Sequence, residues 1–212
     1  MTNINLKRVK KVELFQKKLR EKALKNGVKM LSPETVYLSP DTKFGKDIVI
    51  EPFVVIGQNV KIGNNVIIKS FTHIEGAKIE NKVIIGPYSR IREGTKLKAG
   101  SKIGNFVETK KSTIGKNSKV NHLTYLGDTD LGNHSNVGAG TITCNYDGIK
   151  KSKTIIEDEV FVGSNSSLVA PINLEKKSTI GAGSVITKKV LGNSLALSRA
   201  KQIGIKNFKR KK

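Results

Sequence analysis

The sequence predicts an all-β parallel solenoid, preceded by a short helix and followed by a basic tail. Two observations predict it. An aliphatic residue followed by glycine or a polar residue recurs every six positions from residue 44 to about residue 190. Large rings are scarce as well: 212 residues contain no Trp, seven Phe and four Tyr, so a core has to be built from Ile, Val and Leu. A period of six is neither the helical 3.6 nor the plain alternation of a half-buried strand. It suits a chain that turns a corner every six residues and points one aliphatic side chain inward per short strand.

The repeat reads IEPFVV (50–55), IGQNVK (56–61), IGNNVI (62–67) and IKSFTH (68–73). After a one-residue slip it resumes with IENKVI (79–84), IGPYSR (85–90), IREGTK (91–96), LKAGSK (97–102) and IGNFVE (103–108). Later stretches are IGKNSK (114–119), VNHLTY (120–125), LGNHSN (131–136) and VGAGTI (137–142), then VGSNSS, LVAPIN, LEKKST and IGAGSV over 162–185. Three such strands close a triangular coil, and successive coils stack at the parallel-strand spacing of roughly 4.8 Å. Small residues one and four positions after the aliphatic one let the strands stack without crowding. A helical bundle does not fit, because no segment after residue 35 keeps a 3.6 period. Only the break at 143–155 (TCNYDGIKKSKTI) leaves the repeat, and it returns in phase. Long loops of that kind often carry function.

Residues 7–25 pattern as an amphipathic helix with Val12, Phe15, Leu19 and Ala23 along one stripe, stopped by Asn26–Gly27. The chain thus divides into a helical segment at 1–26, a solenoid at 27–191 and a basic tail at 192–212. The net charge of +22 resides largely in the two ends. Residues 7–25 carry nine Lys/Arg against Glu13 and Glu21, or +7, and residues 199–212 carry seven with no acid, another +7. No aromatic interleaving or nucleic-acid motif accompanies these ends, so solvated tails or contacts to small phosphorylated molecules are expected rather than nucleic-acid binding. A single cysteine, Cys144, excludes a disulfide framework, and no apolar run has membrane-spanning length. A soluble cytoplasmic protein, not inserted in a membrane, is the expectation.

Stacking arithmetic locates chemistry, because residues one coil apart sit above one another. Asn105, His122 and Ala139 fall in neighbouring coils, as do Glu108 and Tyr125, Arg92 and Lys110, and Ser164 and Ala182. His122 therefore lies beside the VGAG backbone at 137–140. By spacing alone each has a bland reading: a lone surface histidine is ordinarily solvated, and two stacked cations are ordinarily a solvated face. Cys144 reads as a small hydrophobe with no paired base. His73 and His134 lie on other faces, so the histidines do not assemble a zinc site.

The run GNFVETKKSTIGKNSKVNHLTYLGDTDLG, followed by NVGAGTITCNYDG, resembles the acetyltransferase domain of the bacterial bifunctional N-acetylglucosamine-1-phosphate uridylyltransferase/glucosamine-1-phosphate N-acetyltransferase family. The likeness extends from GVKMLSPETVYL (27–38) through VFVGSNSSLVAP and IGAGSVIT to ALSR (196–199), and residues 1–26 resemble the linker that precedes that domain. It implies a left-handed β-helix of the hexapeptide-repeat superfamily, working as a homotrimer with sites between prisms.

It also implies residue roles. His122 becomes the general base. Arg92, Lys110, Tyr125, Asn136 and Lys151 would hold the phosphorylated sugar. Ala139, Asn145, Tyr146, Ser164, Ala182 and Arg199 would line the path of acetyl-CoA, the co-substrate. Glu108 or a backbone carbonyl would fix the histidine tautomer, backbone N–H groups of Gly138–Ala139–Gly140 would face the oxyanion, and no metal is required. The family's glycine-rich nucleotide loop is not among these residues, so uridylyl transfer is not expected of them, and both a separate uridylyltransferase partner and a longer chain stay open. Two alternatives stay open: acetylation of another, nucleotide-linked amino sugar, and a non-enzymatic basic trimeric scaffold.

Overall fold

The hexad pattern is a burial pattern. In the computed structural model, which describes residues 2–210, the leading aliphatic residue of each of these hexads is buried, from Ile50 to Ile180. Each short strand pairs in parallel with its equivalent one coil on, as Val49–Ile50 does with Ile67–Ile68 and these with Ile84–Ile85. Stacked contacts join residues 18 or 17 apart in sequence. Across the loop after Cys144 the step grows to 25. The result is a left-handed parallel β-solenoid of about nine turns.

Three flat faces wrap the core. The first runs from strand Lys29–Met30 to Leu195–Ala196, the second from Tyr37–Leu38 to Val185–Ile186, and the third from Lys43–Phe44 to Ile172–Leu174. Mid-prism, the nine-residue strands Lys102–Lys110 and Lys119–Gly127 run unbroken from the first face to the second. They pair along their length and hold that corner rigidly.

Among the described residues, the buried apolar side chains are aliphatic or Met, and none is aromatic. Small hydroxyl residues fill the inner corners and bond to backbone there. Ser118 Oγ donates to Gly132 O at 2.6 Å and Ser135 Oγ to Glu157 O at 2.8 Å. The rings stand outside. Phe53, Phe71, Tyr88 and Phe106 stack along the edge between first and second faces, with centroids 5.1, 4.6 and 5.2 Å apart. Each has a positive φ of 55–60°, a left-handed conformation that costs a bulky residue about 1–2 kcal/mol. Corner geometry demands it, and ring stacking offsets part of the cost.

Helix α1 spans Thr2–Lys25, five residues longer at its start than the pattern predicts. It ends as expected: Gly27 adopts φ +87°, the Gly27 N–H donates to Leu24 O and the Val28 N–H to Ala23 O, the paired bonds of a Schellman cap. The apolar stripe needs correction. Leu19 and Ala23 pack on the solenoid, but Val12 and Phe15 are exposed, because only the last turns of α1 lie over the first coil. Polar groups make the remaining contact. The Gln16 carboxamide donates to Leu38 O and accepts from Leu38 N–H, both at 2.9 Å, and Arg20 donates to Val36 O. These bonds finish an open sheet edge that would otherwise invite another strand. Gln16→Ala should therefore cost about 1–3 kcal/mol and speed hydrogen exchange at the Leu38 amide; unchanged exchange would refute the edge-cap role.

At the other end the solenoid outlasts its sequence pattern. Asn193 turns the corner with φ 54°, and strand Leu195–Ala196 pairs with Thr179–Ile180. Pairing continues to Ser198, whose carbonyl accepts from the Val185 N–H, and Ala196 packs on the end of the core, so stacking persists past residue 192. The central charge, modest by count, is also gathered: Lys43, Lys61, Lys78 and Lys96 stack in register on the third face, all exposed. Among the described residues, no helix is long and apolar enough to cross a membrane.

Candidate active site

His122 stands exposed where the first face turns into the second, on strand Lys119–Gly127. Its register partner one coil below is Asn105, and His122 Nδ1 lies 2.7 Å from Asn105 Oδ1. The local backbone is pinned: the His122 carbonyl accepts from Thr124 Oγ1 at 2.7 Å and from the Gly140 N–H at 3.4 Å. Gly104, next to Asn105, has no room for a side chain, since a Cβ there would collide with the Asn121 backbone. The coils can approach closely enough for the Asn105–His122 bond only because that residue is glycine.

Beyond His122 the same edge is smooth and built from backbone. A Cβ on Gly138 would strike the Ser164 amide at 2.6 Å, and one on Gly163 the Ala182 amide at 2.5 Å. Ala139, Ser164 and Ala182 thus stack in successive coils. Arg199, on the tail, completes the strip: its Nη1 donates to Ala182 O at 2.9 Å. Of the three backbone amides expected at the oxyanion, two are taken. The Gly138 N–H donates to Val162 O at 2.8 Å and Gly140's to His122 O, whereas Ala139's has no acceptor among the described residues.

The cations form a second group, on the second face. Arg92 Nη1 donates to Glu108 Oε1 at 2.7 Å, and Lys110 Nζ pairs with Glu93 Oε1 at 3.2 Å. The hydrogen bond to Glu108 raises the Arg92 pKa further above its ordinary value. Glu93's own backbone N–H, and then Lys110, hold the Glu93 carboxyl below the usual range. A depressed carboxyl pKa means the Glu93–Lys110 contact is intact at neutral pH and weakens as pH falls through the carboxylate range. Arg92 Nε is shielded and has no hydrogen-bond acceptor among the described residues, with Glu93 Oε2 3.9 Å away.

Here the Glu108 expectation needs correction. Glu108 does not orient His122. It lies on the flat of the second face in register with Arg90 and Tyr125, and its carboxylate serves Arg92. The corner position beside the imidazole belongs to Asn105. Tyr125 is half-buried next to Glu108, and Asn136 lies on the first face, in register with Lys119.

The remaining expected residues lie at the far end of the second face, in the loop after strand Ile142–Cys144. Asn145 is 7% exposed and donates from Nδ2 to Asp128 Oδ2 at 2.6 Å, while its carbonyl accepts from Ser152 N–H. Tyr146 and Lys151 form an antiparallel bridge across the loop. One chain therefore splits the expected acetyl-CoA residues: Ala139, Ser164, Ala182 and Arg199 share an edge, while Asn145 and Tyr146 lie at the opposite corner. Glu93 was not anticipated, although its position beside Arg92 in IREG carried the hint.

Two family descriptions match the chain: "Bacterial transferase hexapeptide (six repeats)" over residues 41–76 and "Hexapeptide repeat of succinyl-transferase" over 153–188. The chain belongs to the hexapeptide-repeat transferases. Among relatives of the chain, "Bifunctional protein GlmU" of Zymomonas mobilis is 50% identical over 203 residues, covering 94% of the chain and 45% of that protein. The GlmU of Thermosipho africanus is 51% identical over 212 residues, covering 92% and 47%. The chain spans about half the length of the curated relatives it matches. Among solved structures, an Arabidopsis UDP-N-acetylglucosamine acyltransferase superposes with a TM-score of 0.64 at 14% identity, over 76% of this chain and 69% of that one. A Bacteroides fragilis UDP-N-acetylglucosamine acyltransferase gives 0.60 at 21%, over 78% and 70%. At such identities the likeness speaks for the fold.

Proposed function

We propose that the chain transfers the acetyl group of acetyl-CoA to the amine of glucosamine-1-phosphate, in the cytoplasm, as a homotrimer. The observation that carries this reading is His122, oriented by a neighbouring side chain at the head of the Ala139–Ser164–Ala182 edge. It does so in a chain half identical to proteins named GlmU over nearly its whole length.

A sugar ammonium is no nucleophile. The sugar reacts as its neutral amine, and a base must take the proton that the nitrogen sheds as it attacks the thioester carbon; histidine is the side chain suited to that near neutrality. With Nδ1 engaged, Nε2 of His122 faces the substrate. The carbonyl oxygen becomes an oxyanion within reach of the Ala139 N–H. The C–S bond then breaks, the electron pair leaves with sulfur, the imidazolium returns its proton so that CoA departs as the thiol, and the amide forms. Arg92 and Lys110 hold the sugar phosphate. Tyr125 and Lys151 lie toward the sugar phosphate, Asn136, on the first face, would reach the sugar from a neighbouring prism, and Arg199 meets the anionic end of CoA. No step calls on a metal.

The trimer reading rests on two features. The exposed Phe53–Phe71–Tyr88–Phe106 ladder continues through exposed Leu123, an apolar edge that a neighbouring prism would cover. The two groups of expected acetyl-CoA residues sit on opposite corners of one face, and head-to-tail packing around a closed three-fold axis would bring such different patches together.

Thiol release with a panel of amino sugars tests the function. Glucosamine-1-phosphate should exceed unphosphorylated glucosamine by about 10²-fold or more in kcat/KM. A nucleotide-linked sugar turning over faster would replace the acceptor named here. Release with none of them would leave only a binding scaffold.

A further inference from the structure

The contact between Asn105 and His122 assigns a function to a residue outside the expected set. We propose that Asn105 is a positioning residue that locks the His122 imidazole in the Nδ1–H tautomer and leaves Nε2 as the proton acceptor. The kinetic part of this inference rests on the function proposed above; the tautomer part does not.

The two side chains leave adjacent strands at paired positions, Asn105 half-buried and His122 exposed. Their separation of 2.7 Å is that of a strong hydrogen bond. A neutral imidazole carries one proton, and the bond made by one ring nitrogen decides the state of the other. The carboxamide oxygen can only accept, so the nitrogen facing it must be the protonated one. The proton-free nitrogen is then Nε2, on the far side of the ring.

A carboxylate would orient the ring too, but would also stabilise the imidazolium. An amide fixes the ring without adding a charge, as in the Cys-His-Asn form of the catalytic triad. Glu108, the other candidate, is committed to Arg92. The backbone under both side chains is held independently of the bond: Ser89 Oγ donates to Gly104 O at 2.6 Å, and Thr124 Oγ1 holds the His122 carbonyl. Removing the amide should therefore leave the corner standing and free only the ring.

Nitrogen-15 spectra of the imidazoles read the tautomer directly, without substrate. The chain has three histidines, His73, His122 and His134, so assignment needs only single substitutions. In the neutral form, His122 of the unmodified protein should show a protonated Nδ1 and an unprotonated Nε2. Asn105→Ala should abolish that preference, and Asn105→Asp, which keeps an acceptor, should retain it. In the acetylation assay Asn105→Ala should lower kcat by about 10- to 100-fold with both KM values within threefold. Asn105→Asp should recover most of that loss.

A protonated Nε2 in the unmodified protein overturns the proposal, as does a tautomer unmoved by Asn105→Ala. Should the spectra follow expectation while no amino sugar is acetylated, the proposed function fails and the positioning role stands. The spectrum of the unmodified protein decides the case even if a variant does not fold.

Discussion

His122→Ala lowers kcat by about 10²–10⁴-fold, the span lost when a general base is removed, with acetyl-CoA binding almost unchanged. The two parts of this expectation have different origins. The loss in kcat follows from the chemistry, since only a neutral amine attacks a thioester and its proton needs a destination. The unchanged donor affinity follows from the geometry. The strip from Ala139 to Arg199 is built largely from backbone and lies in the coils beyond His122, so losing the imidazole removes little of it. Stopped-flow turnover and equilibrium CoA binding check the two parts separately. A variant that kept more than half its turnover would remove His122 from the chemistry.

Arg92→Ala and Lys110→Ala should each raise KM for the sugar phosphate by about 30- to 100-fold, roughly 2–3 kcal/mol for a charge-assisted bond to phosphate. KM for acetyl-CoA should move less than twofold. Arg92 should matter more, because its loss also strips Glu108 of its ion-pair partner and leaves an uncompensated carboxylate near the incoming phosphate. Both cations touch Glu93, so the two substitutions are coupled through a shared acid as well as through the ligand. The double variant should cost less than the sum of the singles. Strict additivity in steady-state KM would mean that the two cations do not meet on one phosphate.

Much of the fold and part of the site are legible in the amino-acid sequence alone. A six-residue period with a single inward aliphatic position admits one arrangement, coils stacked on their own backbone. The burial of Ile50 through Ile180 follows from it directly. Stacking also determines which Cα atoms are neighbours. Asn105 and His122, or Arg92 and Lys110, are paired by counting, because a parallel register fixes backbone positions once the coil length is known. The motif NHLTYLGD and its neighbours add the chemistry expected at those positions.

Side-chain direction and pairing are decided only by the tertiary structure. Counting places Glu108 and Asn105 in the same coil below His122. Only the corner decides that the amide meets the imidazole while the carboxylate, three residues on, lies flat against Arg92. The same limit explains α1. Its apolar stripe is readable, but whether Val12 or Gln16 meets the solenoid depends on how far the helix overlies the first coil. Arg199 shows it again: tail composition announces only charge, and its seat on Ala182 comes from one more strand, Leu195–Ala196, whose Ala196 packs on the end of the core. A repeat specifies where the backbone goes because every coil obeys one steric rule. The contacts at corners and ends obey no repeat, and depend on which groups the folded chain leaves within hydrogen-bond reach.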